Sequence, residues 1–406
     1  MTRAEVAKKF LDLYLDKGNL TIVASPGLGK TKISFDIILA TDCKTILYSS
    51  PSLNLKNNLE AEFVKHNFPK ENYALEITSI QTAYKYVGKE YDLLVLDEAH
   101  QCISNEYKKL LLHNNFKHIL FLTATPEDYK EEKKVIYDTY APIYWRYLDS
   151  EKDGIVNKVK VIHYAYELTN DFTKEIKTKK WGKSSKFKVG ELEHYEYLNK
   201  QIVKGRIMMN EIGSENFYLD SFAWLNKSNA PSDAHYTAAL LYNRAVANRK
   251  KFLLNLESTK HLAKDIIKLI LLADKNNKVL FFAEEIKYLQ EINDNVYYAE
   301  NPNKDLLYNN FMKGYIRSLG ASKGLNVGLN MVGVNHLLFV NYVGSSTTGE
   351  QRAGRGRRLN VNELATLIIL HPLNTQFDTW YENMMKLMTV EDIVHVHSID
   401  ELKRII

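Results

Sequence analysis

The sequence predicts an α/β protein built from two doubly wound parallel-sheet domains, with an insertion in the second. Three observations support this. Short apolar runs, the length of interior parallel strands, alternate with helical stretches over the first 126 residues. One of these runs feeds a glycine turn and then a helix, Leu20 to Val23 followed by Ser25-Pro26-Gly27-Leu28-Gly29-Lys30-Thr31. A second set of apolar runs begins near Val159, and 406 residues exceed what one core usually holds.

In order, residues 2 to 17 place Val6, Phe10 and Leu13 on one line and Ala7, Leu11 and Tyr14 on the next, the spacing of an amphipathic helix. After the glycine turn and its helix, strands are expected at Thr45 to Ser50, Leu75 to Ser79, Tyr91 to Leu96 and His118 to Thr123, with a helix from Leu53 to Lys65. From Pro126 to about Asn157 the chain is charged and aromatic without a clear period, and a domain boundary is expected near 150. A strand at Val159 to Tyr164 then opens the second domain. Residues 170 to 229 are polar and irregular and are expected to form an insertion, and Leu240 to about Leu272 reads as one long helix. Strands are expected again at Val279 to Ala283, Val296 to Ala299, Leu337 to Val340 and Leu364 to Leu370, and a helical tail from about Asp378 to Ile406.

Composition excludes several classes. No apolar run reaches the roughly 18–20 residues of a membrane span, and the first residues mix both charges without a signal-like apolar core, so a cytoplasmic protein without membrane contact is expected (host cytoplasm if viral). Cys43 and Cys102 lack metal-ligand spacing, and no third ligand lies near His395 and His397 in the sequence; no disulfide or structural metal is expected. The net charge of +5 is more than matched by one segment, Lys174 to Lys188, with seven lysines and one glutamate.

The chemistry lies at two strand ends. Gly27 and Gly29 let backbone N–H groups turn onto phosphate oxygens, and the helix starting near Lys30 aims its positive end at the same place. Lys30 is placed to reach the β- and γ-phosphates, and Thr31 to offer its hydroxyl to Mg²⁺. Leu93-Leu-Val-Leu-Asp97-Glu98-Ala-His100 delivers two carboxylates at the end of a buried strand, where open α/β sheets bind ligands. Asp97 suits a metal-bound triphosphate, and Glu98 the water that attacks it.

These stretches resemble, in order, the motifs of the superfamily 2 helicases and translocases. SPGLGKT at 25 to 31 resembles motif I, Ser50-Pro51-Ser52-Leu53 motif Ia, and Ile77-Thr78-Ser79-Ile80-Gln81 the next nucleic-acid-contacting motif. Asp97 to His100 resembles motif II and Thr123-Ala-Thr125-Pro motif III. Lys278 to Ala283 resembles motif IV, Gly328-Leu-Asn330 motif V, and Gln351-Arg-Ala-Gly-Arg355-Gly-Arg-Arg358 motif VI. Compact size, the motif V wording and the stretch Leu370 to Trp380 look most like phage-type DNA helicases. The resemblance implies two RecA-like domains, ATP and Mg²⁺ as cofactors, and single-stranded, forked or branched DNA as partner, with RNA left open and accessory replication or recombination proteins conceivable.

It further implies that Arg355 and Arg358 act as arginine fingers, that Gln351 senses the γ-phosphate, and that Asn330 belongs with the nucleotide site. His100, Thr123 and Thr125 would couple hydrolysis to movement. Pro51, Ser52, Thr78, Ser79 and Gln81 would grip a phosphate backbone. Lys179, Lys180 and Trp181 offer phosphate neutralisation and stacking, or form a solvated loop. Two departures stand out. Residues 1 to 23 contain no glutamine to read adenine, which leaves nucleotide selectivity open, and Gly324-Leu-Asn326 repeats as Gly328-Leu-Asn330, of which the second fits the following strand better.

Overall fold

The structure is a computed structural model that describes all residues except 52–54, 105, 128–129, 150–151, 156–158, 181–182, 227, 323–332, 345–364 and 387–392. Two parallel sheets dominate it, with helices between their strands.

The first sheet contains β1 (Leu20–Ala24), β2 (Thr45–Ser50), β3 (Ala74–Ser79), β4 (Glu90–Asp97), β5 (Asn115–Thr123) and β6 (Arg146–Tyr147), ordered β3-β2-β4-β5-β1-β6. Its strands are apolar on both faces because helices cover both. Ile22, Ile46, Tyr48, Val95 and Leu122 point into one core; Leu47, Leu94, Leu96 and Phe121 point into the other. The opening helix, Arg3–Lys17, begins at a Thr2–Glu5 capping box and buries Val6, Phe10 and Tyr14. The sixth strand was not expected. It is two residues long, and its pairing with Val23 and Ala24 leaves no periodic signal.

The second sheet contains β7 (Val159–Glu167), β10 (Val279–Phe282), β11 (Val296–Tyr297), β12 (Ser318–Ala321), β13 (His336–Phe339), β14 (Ala365–Leu373) and β15 (Ile393–Val396). Their order is β11-β12-β10-β13-β14-β7-β15, and neighbouring strands pair in parallel. Alternation again divides two cores: Leu280, Phe282, Leu337 and Phe339 face one way, Phe281, Leu338, Ile368 and Leu370 the other. Residues 378 to 406 are not helical throughout. β15 lies between the helices Gln376–Met385 and Ile399–Lys403, because Ile393, Val394 and Val396 are β-branched and pair with β7 as an edge strand.

The stretch expected to be irregular has regular structure. β8 (Thr173–Lys180) and β9 (Lys183–Gly190) form an antiparallel hairpin, followed by the helices Glu191–Glu211 and Phe217–Ala223. The first helix buries Tyr195, Leu198, Ile202, Gly205 and Met209 at three-and-four spacing, a signal masked by its charged surface. The predicted long helix is two, Asp233–Leu253 and Glu257–Ala273. The chain is extended at Leu256, and the carboxylate of Glu191 accepts the N–H groups of Glu257 at 2.6 Å and Ser258 at 3.4 Å. A side chain 66 residues away thus caps the second helix, which no local pattern announces.

Candidate functional site

The glycine turn follows β1 at the C-terminal edge of the first sheet. Gly27 has φ +85° and Gly29 φ +99°, both in the region that a side chain disfavours, and the helix Lys30–Leu39 starts at once. A Cβ built on Gly29 comes no closer than 4.0 Å to Lys32 Cβ, so glycine is required by backbone conformation rather than by crowding. Lys30 Nζ donates to the Ala24 carbonyl at 3.0 Å, folded over its own loop. The loop is braced from outside. Ser25 N donates to the Tyr147 carbonyl at 3.1 Å, Ser25 Oγ to the Leu148 carbonyl at 3.0 Å, and Arg3 to the carbonyls of Gly27 at 3.4 Å and Ile155 at 3.1 Å. Sequence reasoning missed Arg3 and Tyr147, because the contacts with Tyr147, Leu148 and Ile155 join segments over 100 residues apart.

Asp97 and Glu98 end β4, and sheet order places β5 between them and β1. The Asp97 carboxylate accepts the Glu98 N–H at 3.0 Å. Glu98 sits at φ +50°, a conformation uncommon for a residue with a side chain and one that concentrates at functional sites. Its Oε2 is buried and accepts no hydrogen bond from the described residues, 3.6 Å from His100 Nδ1. His100 Nδ1 is 3.0 Å from Thr123 Oγ1, and that oxygen accepts the Thr125 N–H at 3.1 Å. The amide nitrogen of Gln101, 3.2 Å from His100 Nε2, donates to it and so leaves the ring proton on Nδ1. Burial pushes the His100 pKa down, against the opposing pull of Glu98, which keeps the ring neutral near pH 7.

Behind His100, Lys133 donates to its carbonyl at 2.5 Å and pairs with Glu127, which also meets Lys130 at 3.0 Å. Burial alone would raise the Glu127 pKa; the two ammonium groups outweigh it and hold the carboxyl below its ordinary value. Gln101, Glu127 and Lys133 are further residues that the motifs did not bring to notice.

On β2, next to β4, and on β3 beyond it, Ser50 pairs with Ser79 and Ser49 with Thr78, so Pro51 leaves β2 one residue past the Ser50–Ser79 pair. Gln81 is exposed and donates to the Pro51 carbonyl at 3.4 Å, and Ser79 Oγ lies 3.4 Å from Thr82 Oγ1. Lys179 and Lys180 lie on β8, opposite Ser184 and Lys183. Ser52, Trp181, Asn330, Gln351, Arg355 and Arg358 lie outside the described residues.

One edge of the first sheet therefore gathers Gly27, Gly29, Lys30, Thr31, Asp97, Glu98, His100, Thr123 and Thr125. A glycine cradle at a helix N-terminus, a lysine, a hydroxyl and two carboxylates fit a triphosphate and a divalent cation. Among the described residues, no group of three or more His, Cys, Asp or Glu side chains is placed to hold a metal ion by itself. Nor is any helix among them long and apolar enough to cross a membrane.

Comparisons with known proteins agree with this architecture. Residues 3–128 match the family described as "Type III restriction enzyme, res subunit". A search of curated protein sequences finds no match. Among solved structures, the chain resembles the Hef helicase domain of Pyrococcus furiosus, with TM-score 0.56 and 16% identity over 93% of this chain and 98% of that one. It also resembles Dbp5 of S. cerevisiae bound to RNA and ADP BeF3, with TM-score 0.56 and 12% identity over 98% and 92% of the two chains. A fragment of a putative HsdR subunit of a type I restriction enzyme from Vibrio vulnificus gives TM-score 0.54 and 14% identity over 97% and 68%. At these identities the likeness is one of fold: two RecA-like parallel-sheet α/β domains of the helicase type.

Proposed function

We propose that the chain is a nucleic-acid-dependent ATPase that works as a DNA helicase or branch-remodelling translocase. The observation that carries this reading is Glu98 Oε2, buried and accepting no hydrogen bond from the described residues, on a half-buried side chain held in a strained backbone beside Asp97 and linked through His100 to Thr123. A buried acceptor left open at a strand end, across β5 from a glycine cradle, suits a group that orients water and takes its proton. Gly27, Gly29 and Lys30 bind the phosphates. Thr31 and Asp97 would hold Mg²⁺, which supplies charge neutralisation at the phosphates. Arg355, Arg358 and Gln351 are assigned here as arginine fingers and γ-phosphate sensor, and Asn330 as a nucleotide-site residue, on the motif resemblance.

Pro51, Ser52, Thr78, Ser79 and Gln81 grip a strand through backbone and hydroxyl groups that carry little sequence information. The hairpin bearing Lys179, Lys180 and Trp181 adds phosphate neutralisation and stacking near a junction. His100, Thr123 and Thr125 transmit the state of the nucleotide site to that grip. DNA is favoured over RNA by the motif V and C-terminal wording. The match of residues 3–128 to a restriction-enzyme subunit family favours a second reading, the motor of a larger restriction-type complex.

The test is strand separation on matched DNA forks and RNA duplexes with ATP and Mg²⁺. Unwinding of DNA forks supports the proposal. Unwinding of RNA with no activity on any fork moves the chain to the RNA helicases, and ATP turnover without unwinding of either favours the restriction-type motor.

A further inference from the structure

Helix Glu257–Ala273 packs on the second sheet through Thr259, Ala263, Ile266 and Ile270. Its apolar character extends past the stripe that the sheet buries. Beside the buried Ile267, Lys264, Lys268, Leu271 and Leu272 follow at three-and-four spacing, and together they line an open cavity of about 320 Å³ bounded by Ile292, Asn293 and Arg317. Leu272 is 75% exposed. The far wall is fixed: Arg317 donates to the Asp274 carbonyl at 3.0 Å, and Asn293 Nδ2 to Ser318 Oγ at 3.0 Å.

The charged side chains that line this cavity have one sign: Lys264, Lys268 and Arg317 stand at its rim, and no acidic side chain among the described residues lines it. Of the nearby acids, Glu291 pairs with Lys260 and also attracts Lys264, the Asp274 carboxylate accepts the Asn276 N–H at 2.7 Å, and Asp294 is exposed beside Asn293. Arg317 immediately precedes β12 and Asn293 lies just before β11, so the cavity opens at the N-terminal edge of the second sheet. Parallel sheets build their ligand sites at the opposite edge.

We propose that this cavity is a docking site for a short acidic segment of a partner protein, with one aliphatic or aromatic side chain in the cavity and flanking carboxylates on Lys264, Lys268 and Arg317. The volume is at the lower end of the roughly 300–1,000 Å³ of ligand pockets, enough for a single anchoring side chain. The apolar floor of Ile267, Leu271 and Ile292 argues against a nucleic-acid backbone, which calls for polar donors along a groove. Such a contact would tether the protein to a partner while leaving the nucleotide edge open.

The test pans a bead-displayed library of random heptapeptides on the full-length chain and on its Lys264→Gln/Lys268→Gln variant. Peptides with Asp or Glu flanking a Leu, Ile or Phe are expected to be enriched on the unaltered chain. Labelled copies should bind the variant roughly tenfold or more weakly, while its basal ATP turnover stays unchanged. The proposal fails if no acidic–apolar peptide is enriched, or if the enriched peptides bind both proteins alike. It also fails if a ten-nucleotide oligothymidine displaces them in a lysine-dependent manner, which would make the surface a phosphate-binding one.

Discussion

His100 Nδ1 and Thr123 Oγ1 lie 3.0 Å apart, joining the end of β4 to the end of β5 beneath the Asp97–Glu98 pair. Both residues are buried, and the same hydroxyl accepts the Thr125 N–H. Thr123→Val keeps the shape and removes the oxygen, taking from the buried His100 imidazole and the buried Thr125 N–H the hydroxyl they share. A loss of about 1–3 kcal/mol in urea unfolding is expected, together with weaker stimulation of ATP turnover by nucleic acid. Full stimulation in a variant destabilised by that amount would reduce this contact to a packing role.

Lys30 and Glu98 should separate binding from chemistry. Lys30→Ala is expected to abolish binding of a fluorescent ATP analogue, whereas Glu98→Gln is expected to keep it, because the amide preserves the shape of the side chain. Equal binding by the Lys30→Ala variant would contradict the role given to the glycine turn.

Gly29→Ala tests the backbone at φ +99°. Since the added methyl meets nothing closer than 4.0 Å, the expected cost of about 1–2 kcal/mol is conformational. The loop should relax and bind nucleotide more weakly. Denaturation midpoints and nucleotide titration read the two effects separately.

The histidine pair that seemed isolated in the sequence has neighbours in the fold. His395 Nδ1 is 2.9 Å from His163 Nδ1, His163 Nε2 is 2.7 Å from His371 Nδ1, and His371 Nε2 is 2.8 Å from Asp378, with Tyr381 stacked on His163. Burial, reinforced by His371, His395 and His397, lowers the His163 pKa from 6.5 to about 4. The unfolded chain therefore binds more protons than the folded one between these values. This contribution is complete above about pH 6.5 and is lost as pH falls toward 4, on the order of 3 kcal/mol. Melting temperatures between pH 7 and 4.5 should fall less steeply for His163→Gln than for the unaltered chain; identical slopes would contradict the assignment.

Much of the architecture was legible because parallel strands covered on both faces are continuous apolar runs, as at Leu93 to Leu96 and Val279 to Ala283. The candidate site was legible where local chemistry is dense: Gly27 to Thr31 and Asp97 to His100 are each contiguous. What escaped depends on distant partners. β6 exists only by pairing with β1, β15 only by pairing with β7, and the break at Leu256 is fixed by Glu191. The brace of Arg3 and Tyr147 on the glycine turn, and the Lys133–Glu127 pair behind His100, arise from packing between segments that no motif joins.

The central claim is nucleic-acid-dependent ATP hydrolysis at the edge that holds Glu98. The most direct test is phosphate release by the unaltered chain and by Glu98→Gln, each without nucleic acid and with single-stranded DNA, forked DNA or RNA of equal length. DNA should raise the rate for the unaltered chain, and Glu98→Gln should turn over roughly 10²–10⁴ more slowly under every condition. A rate indifferent to all three nucleic acids, or a Glu98→Gln variant as fast as the unaltered chain, would contradict the claim.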